Sequence, residues 1–275
     1  MKISDFKIRK HDKYYYRGDW NEKIFKKSIA IVGSRQMTRY GREMVEKFVS
    51  VFVANGVTTI SGFMYGVDTE VHQKTVDYGG ITVAVFGCGL DVIYPPENEK
   101  LYVQILENKG LVISEYGSEA KPHLWKFPQR NKVVAGLASL GVLVVEAGEN
   151  SGSLITAKLA KKMGKKVYTV PGPINSPVSV GCNNLIKNGE AIMATSAVDI
   201  IKIKTPHFAQ GASRGKPELN GLENKIYKAL EIEPLDVDEI AAKTGENVVG
   251  IGSTLSMMSL KGLLTESGGK YYLSK

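Results

Sequence analysis

Apolar residues occur in short, nearly unbroken runs separated by longer stretches of helical period. Residues 29–32, 58–60, 82–86, 111–113, 142–145 and 167–170 each read as a strand buried on both faces. Between the first two, Met44, Val45, Phe48, Val49 and Phe52 recur at helical spacing, and Asn55-Gly56 ends that helix. Similar patterning predicts helices at 68–78, 98–108, 130–139 and 153–163. Strands of this kind alternating with helices predict an α/β fold: a doubly wound, Rossmann-like parallel sheet.

The pattern changes after residue 204. Residues 205–217 are rich in Pro, Gly, Ala, Ser and Lys without periodicity and read as a linker. Helices are predicted next at 222–230, 237–243 and 248–261, followed by a hairpin of 263–266 and 271–273 turned by Gly268-Gly269. Three helices and a glycine-turned hairpin make a small C-terminal winged-helix domain over 218–275, with Thr244-Gly245 in its turn. The sheet domain then covers 29–204, and residues 1–28 are expected to be a short N-terminal extension packing on the core.

Several strand ends carry small or amide residues where a backbone can meet a phosphate. These are Gly33-Ser-Arg35, the loop 61–68, Phe127-Pro-Gln-Arg-Asn131, Ser151-Gly-Ser-Leu-Ile-Thr156, Val170-Pro-Gly-Pro173 and Gly181-Cys-Asn183. Ligands of open parallel sheets gather beyond the carboxyl ends of the strands, so these segments are expected to converge on one anion-binding face. Gly33 permits a tight turn, Ser34 can cap the following helix, and Arg35 offers a forked donor to phosphate. Ser151-Gly152-Ser153 opens a helix whose free amides, with the hydroxyls of Ser151, Ser153 and Thr156, can surround an anion. Asp68 reads mainly as the cap of its own helix. Asn131 and Lys132 can bond a base edge or a phosphate. Arg130 has two readings, such a donor or an intramolecular strut.

Bulk properties narrow the classes. The chain has 275 residues, 43% of them hydrophobic, and a net charge of +8. Residues 1–28 carry nine basic and four acidic groups, residues 29–217 carry 21 and 15, and residues 218–275 carry six and nine. The basic excess therefore lies with the anion loops, which fits a phosphate-bearing partner. No apolar run approaches the roughly 20 residues of a membrane helix, and no secretory leader is visible, so a cytoplasmic location away from membranes is expected. The isolated Cys88 and Cys182 and the scattered histidines give neither a disulfide framework nor a metal site. There is no Gly-x-x-x-x-Gly-Lys-Ser/Thr loop, and Gly87-Cys-Gly89 lacks the third glycine of the dinucleotide fingerprint, so no nucleotide cofactor is expected. No Ser-His-Asp or Cys-His order stands out.

Taken together, Gly33-Ser-Arg35, Ser61-Gly62, Gly66-Val-Asp68, His72, Tyr94-Pro95, Ser114-Glu-Tyr116, Phe127-Pro128, Arg130-Asn131, Glu146-Ala147, Ser151 to Thr156, Pro171-Gly172 and Gly181-Cys-Asn183 closely resemble the DprA (Smf) DNA-processing family. The tail from about Leu219 resembles that family's winged-helix module. The resemblance implies a homodimer that binds and protects single-stranded DNA and helps load RecA recombinase in natural transformation, without catalysis. Carried over by position, the DNA-binding pocket uses Gly33, Ser34, Arg35, Gly62, Gly66, Arg130, Asn131, Lys132, Ser151, Gly152, Ser153 and Thr156. Three departures stand out: Met64-Tyr65 replaces a small residue and a variable one, Lys132 replaces a frequent arginine, and the N-terminal helical domain of many members has no counterpart.

Two other classes compete. Cytokinin-activating phosphoribohydrolases share this type of sheet, but their Pro-Gly-Gly-x-Gly-Thr-x-x-Glu loop corresponds here to Ser151 to Ala157, without the glutamate. A duplex-reading regulator is opposed by the tail's negative charge, since its third predicted helix offers only Lys261 as a cation.

Overall fold

The structure, a computed structural model, describes residues 2–201, 219, 221–260, 263–267 and 269–273. The linker read at 205–217 lies outside the described residues, as do Lys261 and Gly268. The chain divides into two compact units, Met1–Lys204 and Thr205–Lys275.

The first unit runs β1 (Arg9–His11), β2 (Tyr14–Gly18), α1 (Lys23–Lys26), β3 (Ser28–Val32), α2 (Arg39–Ala54), β4 (Thr58–Ser61), α3 (Val67–Asp77), β5 (Thr82–Phe86), α4 (Glu99–Glu107), β6 (Leu111–Ser114), α5 (Lys126–Leu137), β7 (Val142–Val144), α6 (Gly152–Lys162), β8 (Val167–Thr169), α7 (Val180–Lys187) and β9 (Ile192–Met193). One sheet holds these strands in the order β1-β2-β6-β5-β4-β3-β7-β8-β9, parallel from β6 through β9. The order reverses at β3, where Ala30 pairs with Ile60 of β4 on one side and Val142 of β7 on the other. Strands twisted this way leave a crevice beyond the carboxyl ends of β3 and β7, where the chain departs to opposite faces.

Both faces are buried, as the unbroken apolar runs require. Ala30, Val32, Val83 and Val85 pack with Val133 of α5, Ala157 of α6 and Leu185 of α7. Ile29 and Ile31 meet Phe48 and Phe52 of α2, and Ala84 and Phe86 meet Tyr102 and Ile105 of α4. The side-chain period of two sends alternate residues of each strand to opposite helical layers.

Three local readings change. Residues 1–28 do more than pack on the core: β2 pairs antiparallel with β6, Tyr15 opposite Ser114, and β1 pairs with β2. Arg17 fixes this edge by donating to Asp91 (2.6 Å), the Leu90 carbonyl (2.6 Å) and the Phe6 carbonyl (2.9 Å). Gly181-Cys-Asn183 is no anion loop but the first turn of α7, with Gly181 and Cys182 buried. Asn183 there binds both the N–H (3.1 Å) and the carbonyl (3.0 Å) of Gly172, which accounts for the polar residues in structural terms. Finally, α5 begins at Lys126 rather than after Pro128. Proline in a first turn lacks only an N–H that would have had no helical partner.

The second unit holds α8 (Gly221–Leu230), α9 (Val237–Thr244), α10 (Val248–Leu260), β10 (Leu264–Ser267) and β11 (Lys270–Leu273), the antiparallel hairpin of a winged helix. Its core is separate: Ile226, Leu230, Ile240, Ile251, Leu255 and Met258. Asp236 caps α9 by accepting from Glu239 N–H (2.8 Å), while Glu239 accepts from Asp236 N–H (2.9 Å).

Candidate nucleic-acid interface

The loops leaving β3 and β7 meet at the point of strand reversal. Gly33 turns the chain against α3, because a Cβ there would stand 2.6 Å from Val67 Cγ2. Gly66, at φ 72°, backs the same loop, and a Cβ on it would overlap the carbonyl of Ser34. That carbonyl accepts from Val67 N–H (3.1 Å). Ser34 does not cap α2 as expected: its hydroxyl accepts from Gln36 N–H (3.0 Å), and Thr38 is the cap, accepting from Gly41 N–H (3.2 Å). Three residues, Gln36 to Thr38, separate Arg35 from the start of α2, too many for Ser34 to reach its free amides.

Across the crevice, Ser151 is the N-cap of α6, and its hydroxyl lies 2.8 Å from that of Ser153. Gly152 and Ser153 of the first turn of α6 line the opening, at the positive end of the helix dipole. Ser153 N–H is taken up by the Ser151 hydroxyl (3.4 Å) and Leu154 N–H by the Ser151 carbonyl (3.1 Å). Between the two sides lies a small open cavity of about 100 Å³ lined by Val32, Gly33, Arg35, Met64, Asp68, Phe127, Pro128, Arg130, Asn131, Ser151, Gly152, Ser153, Ile155 and Thr156. The exposed Arg35 guanidinium stands 5.7 Å over the Phe127 ring and makes no ion pair among the described residues. A hydroxyl pair, the N-terminus of α6 and a guanidinium that makes no ion pair among the described residues together suit a phosphate oxygen cluster.

The expected residues therefore divide. Gly33, Arg35, Arg130, Asn131, Ser151, Gly152, Ser153 and Thr156 line the cavity; Ser34, Gly62, Gly66 and Lys132 do not. Lys132 instead pairs with Glu115 (3.4 Å), which also holds Lys13 (3.3 Å). Gly62 and Gly66 shape the site through their lack of side chains.

Arg130 is resolved as a strut. It is 4% exposed and donates Nη1 to the carbonyls of Gly62 and Val85. Asp68 lies beside it, and a Cβ on Gly62 would overlap both Arg130 Nη2 and Asp68 Oδ2. Asp68 does not cap α3; it accepts from Met64 N–H (3.2 Å) and braces the loop before the helix. Burial pushes the Asp68 carboxyl up, although Arg130 and the Met64 N–H pull the other way. Burial likewise lowers Arg130 to about 10 against the opposing pull of Asp68. Desolvation outweighs mutual attraction for both partners.

Met64, Phe127, Pro128 and Ile155 complete the lining. All four stand in segments already suspected from sequence, the loop 61–68, 127–131 and 151–156, but as apolar residues they were not expected to line the site. Among the described residues no cluster of three or more His, Cys, Asp or Glu could hold a metal ion. No helix there is long and apolar enough to cross a membrane.

Residues 10–204 match the family described as DNA recombination-mediator protein A, and residues 210–270 match the DprA winged helix domain. The chain belongs to the DprA/Smf family. Protein Smf of Escherichia coli is 34% identical over 253 residues, covering 88% of this chain and 67% of that protein. The DNA processing protein DprA of Streptococcus pneumoniae is 41% identical over 187 residues, covering 68% of this chain and 64% of that one. The chain thus spans about two thirds of the length of these DprA/Smf relatives. The solved S. pneumoniae DprA structure superposes with a TM-score of 0.63 at 35% identity, covering 72% of this chain and 74% of that one. DprA of Helicobacter pylori, whose structure was described for its single-stranded DNA binding mode, has a TM-score of 0.63 at 27% identity, covering 72% and 95% of the two chains.

Proposed function

We propose that this chain binds single-stranded DNA by its phosphates in the cavity between the Arg35 loop and the N-terminus of α6. It holds the strand across a homodimer and helps load RecA recombinase, with no chemical turnover. The observation carrying this reading is Arg35: an exposed residue that makes no ion pair among the described residues and lines one small cavity together with Gly152 and the paired hydroxyl residues Ser151 and Ser153. Its support from relatives is the single-strand binding described for the H. pylori protein and the recombination-mediator description of the family.

The winged helix fits an accessory part better than duplex reading. Its α10, in the place of a recognition helix, contains no charged residue, while phosphate-bound readers rely on several cations. A single cavity binds one phosphate weakly, but two on a rigid dimer make the second contact intramolecular and raise avidity by ~100-fold or more. Affinity measured against oligonucleotide length tests this: it should climb sharply once a strand can reach both cavities. Growth merely in proportion to length would count against the dimeric arrangement.

One observation favours the enzyme alternative, a nucleotide phosphoribohydrolase. Asp68 is a cavity-lining carboxyl whose pKa is raised, as a general acid requires. Its bond to Met64 N–H and its place beside Arg130 suit a brace instead. Incubation with nucleoside monophosphates decides between them, since base release at enzyme-like rates would defeat the binding reading.

A further inference from the structure

Just before Phe127, a wall of the cavity, the turn leading into α5 displays apolar and aromatic surface that does not line the phosphate site. Leu124 is 85% exposed and Trp125 56% exposed, although both adjoin the buried Lys126 and Phe127. Trp125 is nonetheless held in place. Its ring is nearly parallel to His123 (12°, centroids 6.2 Å apart) and meets Tyr116 edge-on (83°, 6.4 Å). The Lys126 N–H donates to the His123 carbonyl (2.9 Å), closing the turn that carries both rings.

The charge beneath the rings selects the occupant. Lys126 is 7% exposed and pairs with no carboxylate among the described residues; its ammonium donates to the Lys121 carbonyl (2.7 Å). It lies 4.7 Å from the Tyr116 centroid and 5.7 Å from that of Trp125. A buried cation under an exposed aromatic surface suits a partner that is both planar and anionic, which favours a nucleic acid strand over an apolar peptide. Trp125 is two residues from Phe127, a wall of the cavity, so their backbones lie at most about 7 Å apart. That is within the reach of one nucleotide.

We propose that Trp125, with His123 and Tyr116 about it, is a stacking platform for a base of the strand whose phosphate occupies the Arg35 cavity. The proposal rests on the phosphate reading of that cavity and adds a contact to the base. Stacking on an exposed ring tolerates any base and adds affinity that phosphate contacts alone do not supply.

The test compares an ordinary oligonucleotide with an abasic strand of the same length, using the full chain and its Trp125→Ala, Trp125→Phe and Arg35→Ala variants. Trp125→Ala should bind the ordinary strand roughly ten-fold more weakly and the abasic strand as the wild type does, with Trp125→Phe restoring much of the difference. In a Trp20→Phe background, where Trp125 is the sole tryptophan, the ordinary strand should quench fluorescence more than the abasic one. Equal losses on both strands, or fluorescence indifferent to bases at saturation, overturn the platform and leave this surface for a protein partner. Arg35→Ala separates the two levels: it should weaken both strands. If it weakens neither, or if the protein binds no single strand, the phosphate reading falls and the platform falls with it.

Discussion

The carboxylate of Glu146, just beyond β7, accepts from both the N–H (2.9 Å) and the hydroxyl (2.5 Å) of Thr38, the cap of α2. The bond crosses the point where the strand order reverses, joining the two sides of the cavity. It also depends on Gly41, whose Cβ would overlap Glu146 Oε2. The Arg35 loop is thus anchored by the strand that feeds α6.

Glu146→Ala should therefore lower stability by about 2–4 kcal/mol, because it strands two partly buried donors that bonded a charged acceptor. It should also weaken single-strand binding by loosening the Arg35 loop. Denaturant titration and a binding isotherm check both effects; a variant as stable as the parent would show that the link contributes little.

Arg130→Ala separates strut from ligand. It removes the donor to the Gly62 and Val85 carbonyls and leaves Asp68 buried without its cation, so a loss of about 3–5 kcal/mol is expected. Arg35→Ala, at an exposed position, should leave the unfolding midpoint nearly unchanged. If Arg130→Ala kept full stability while losing DNA affinity, Arg130 would have to be counted as a direct contact.

His72 gives a pH signature. Burial, with a smaller contribution from Arg130, lowers its pKa from 6.5 to about 3, so the native ring stays neutral where the unfolded one takes up a proton. Its contribution is fully present above pH 6.5 and is lost as pH falls toward 3, by up to about 1.4 kcal/mol per pH unit. Asp68 has the opposite sign: its raised pKa makes the folded chain bind protons more readily just above 3.8, offsetting part of that loss. Denaturant unfolding at pH 7 and pH 5 should show a smaller difference in His72→Gln than in the parent.

Deleting 219–275 should leave most single-strand affinity in place. The cavity is built wholly within the first unit, and the deleted unit has its own core. Near-complete loss of binding by a well-folded truncated protein would move the DNA site to the winged helix.

The central fold was legible because strands buried on both faces appear as unbroken apolar runs. Tyr14–Gly18 was not, since Tyr-Tyr-Tyr-Arg-Gly shows no alternation and its Arg17 is buried only through partners distant in sequence. Val180–Lys187 hid behind Gly181 and Asn183, which look like loop residues until the contacts with Ala147 and Gly172 are seen. The cavity itself followed from loops at strand ends. Which polar residues face it did not follow, because the fates of Lys132 and Arg130 depend on Glu115, Gly62 and Val85 arriving from other strands and loops.

The most direct measurement is the affinity of the intact chain and of Arg35→Ala for single-stranded DNA across a range of salt concentrations. The parent should prefer a single strand to a duplex of equal length. Arg35→Ala should bind every sequence more weakly, with a log–log salt slope smaller by about one, as loss of one phosphate contact requires. An unchanged affinity and slope would contradict a phosphate site at Arg35.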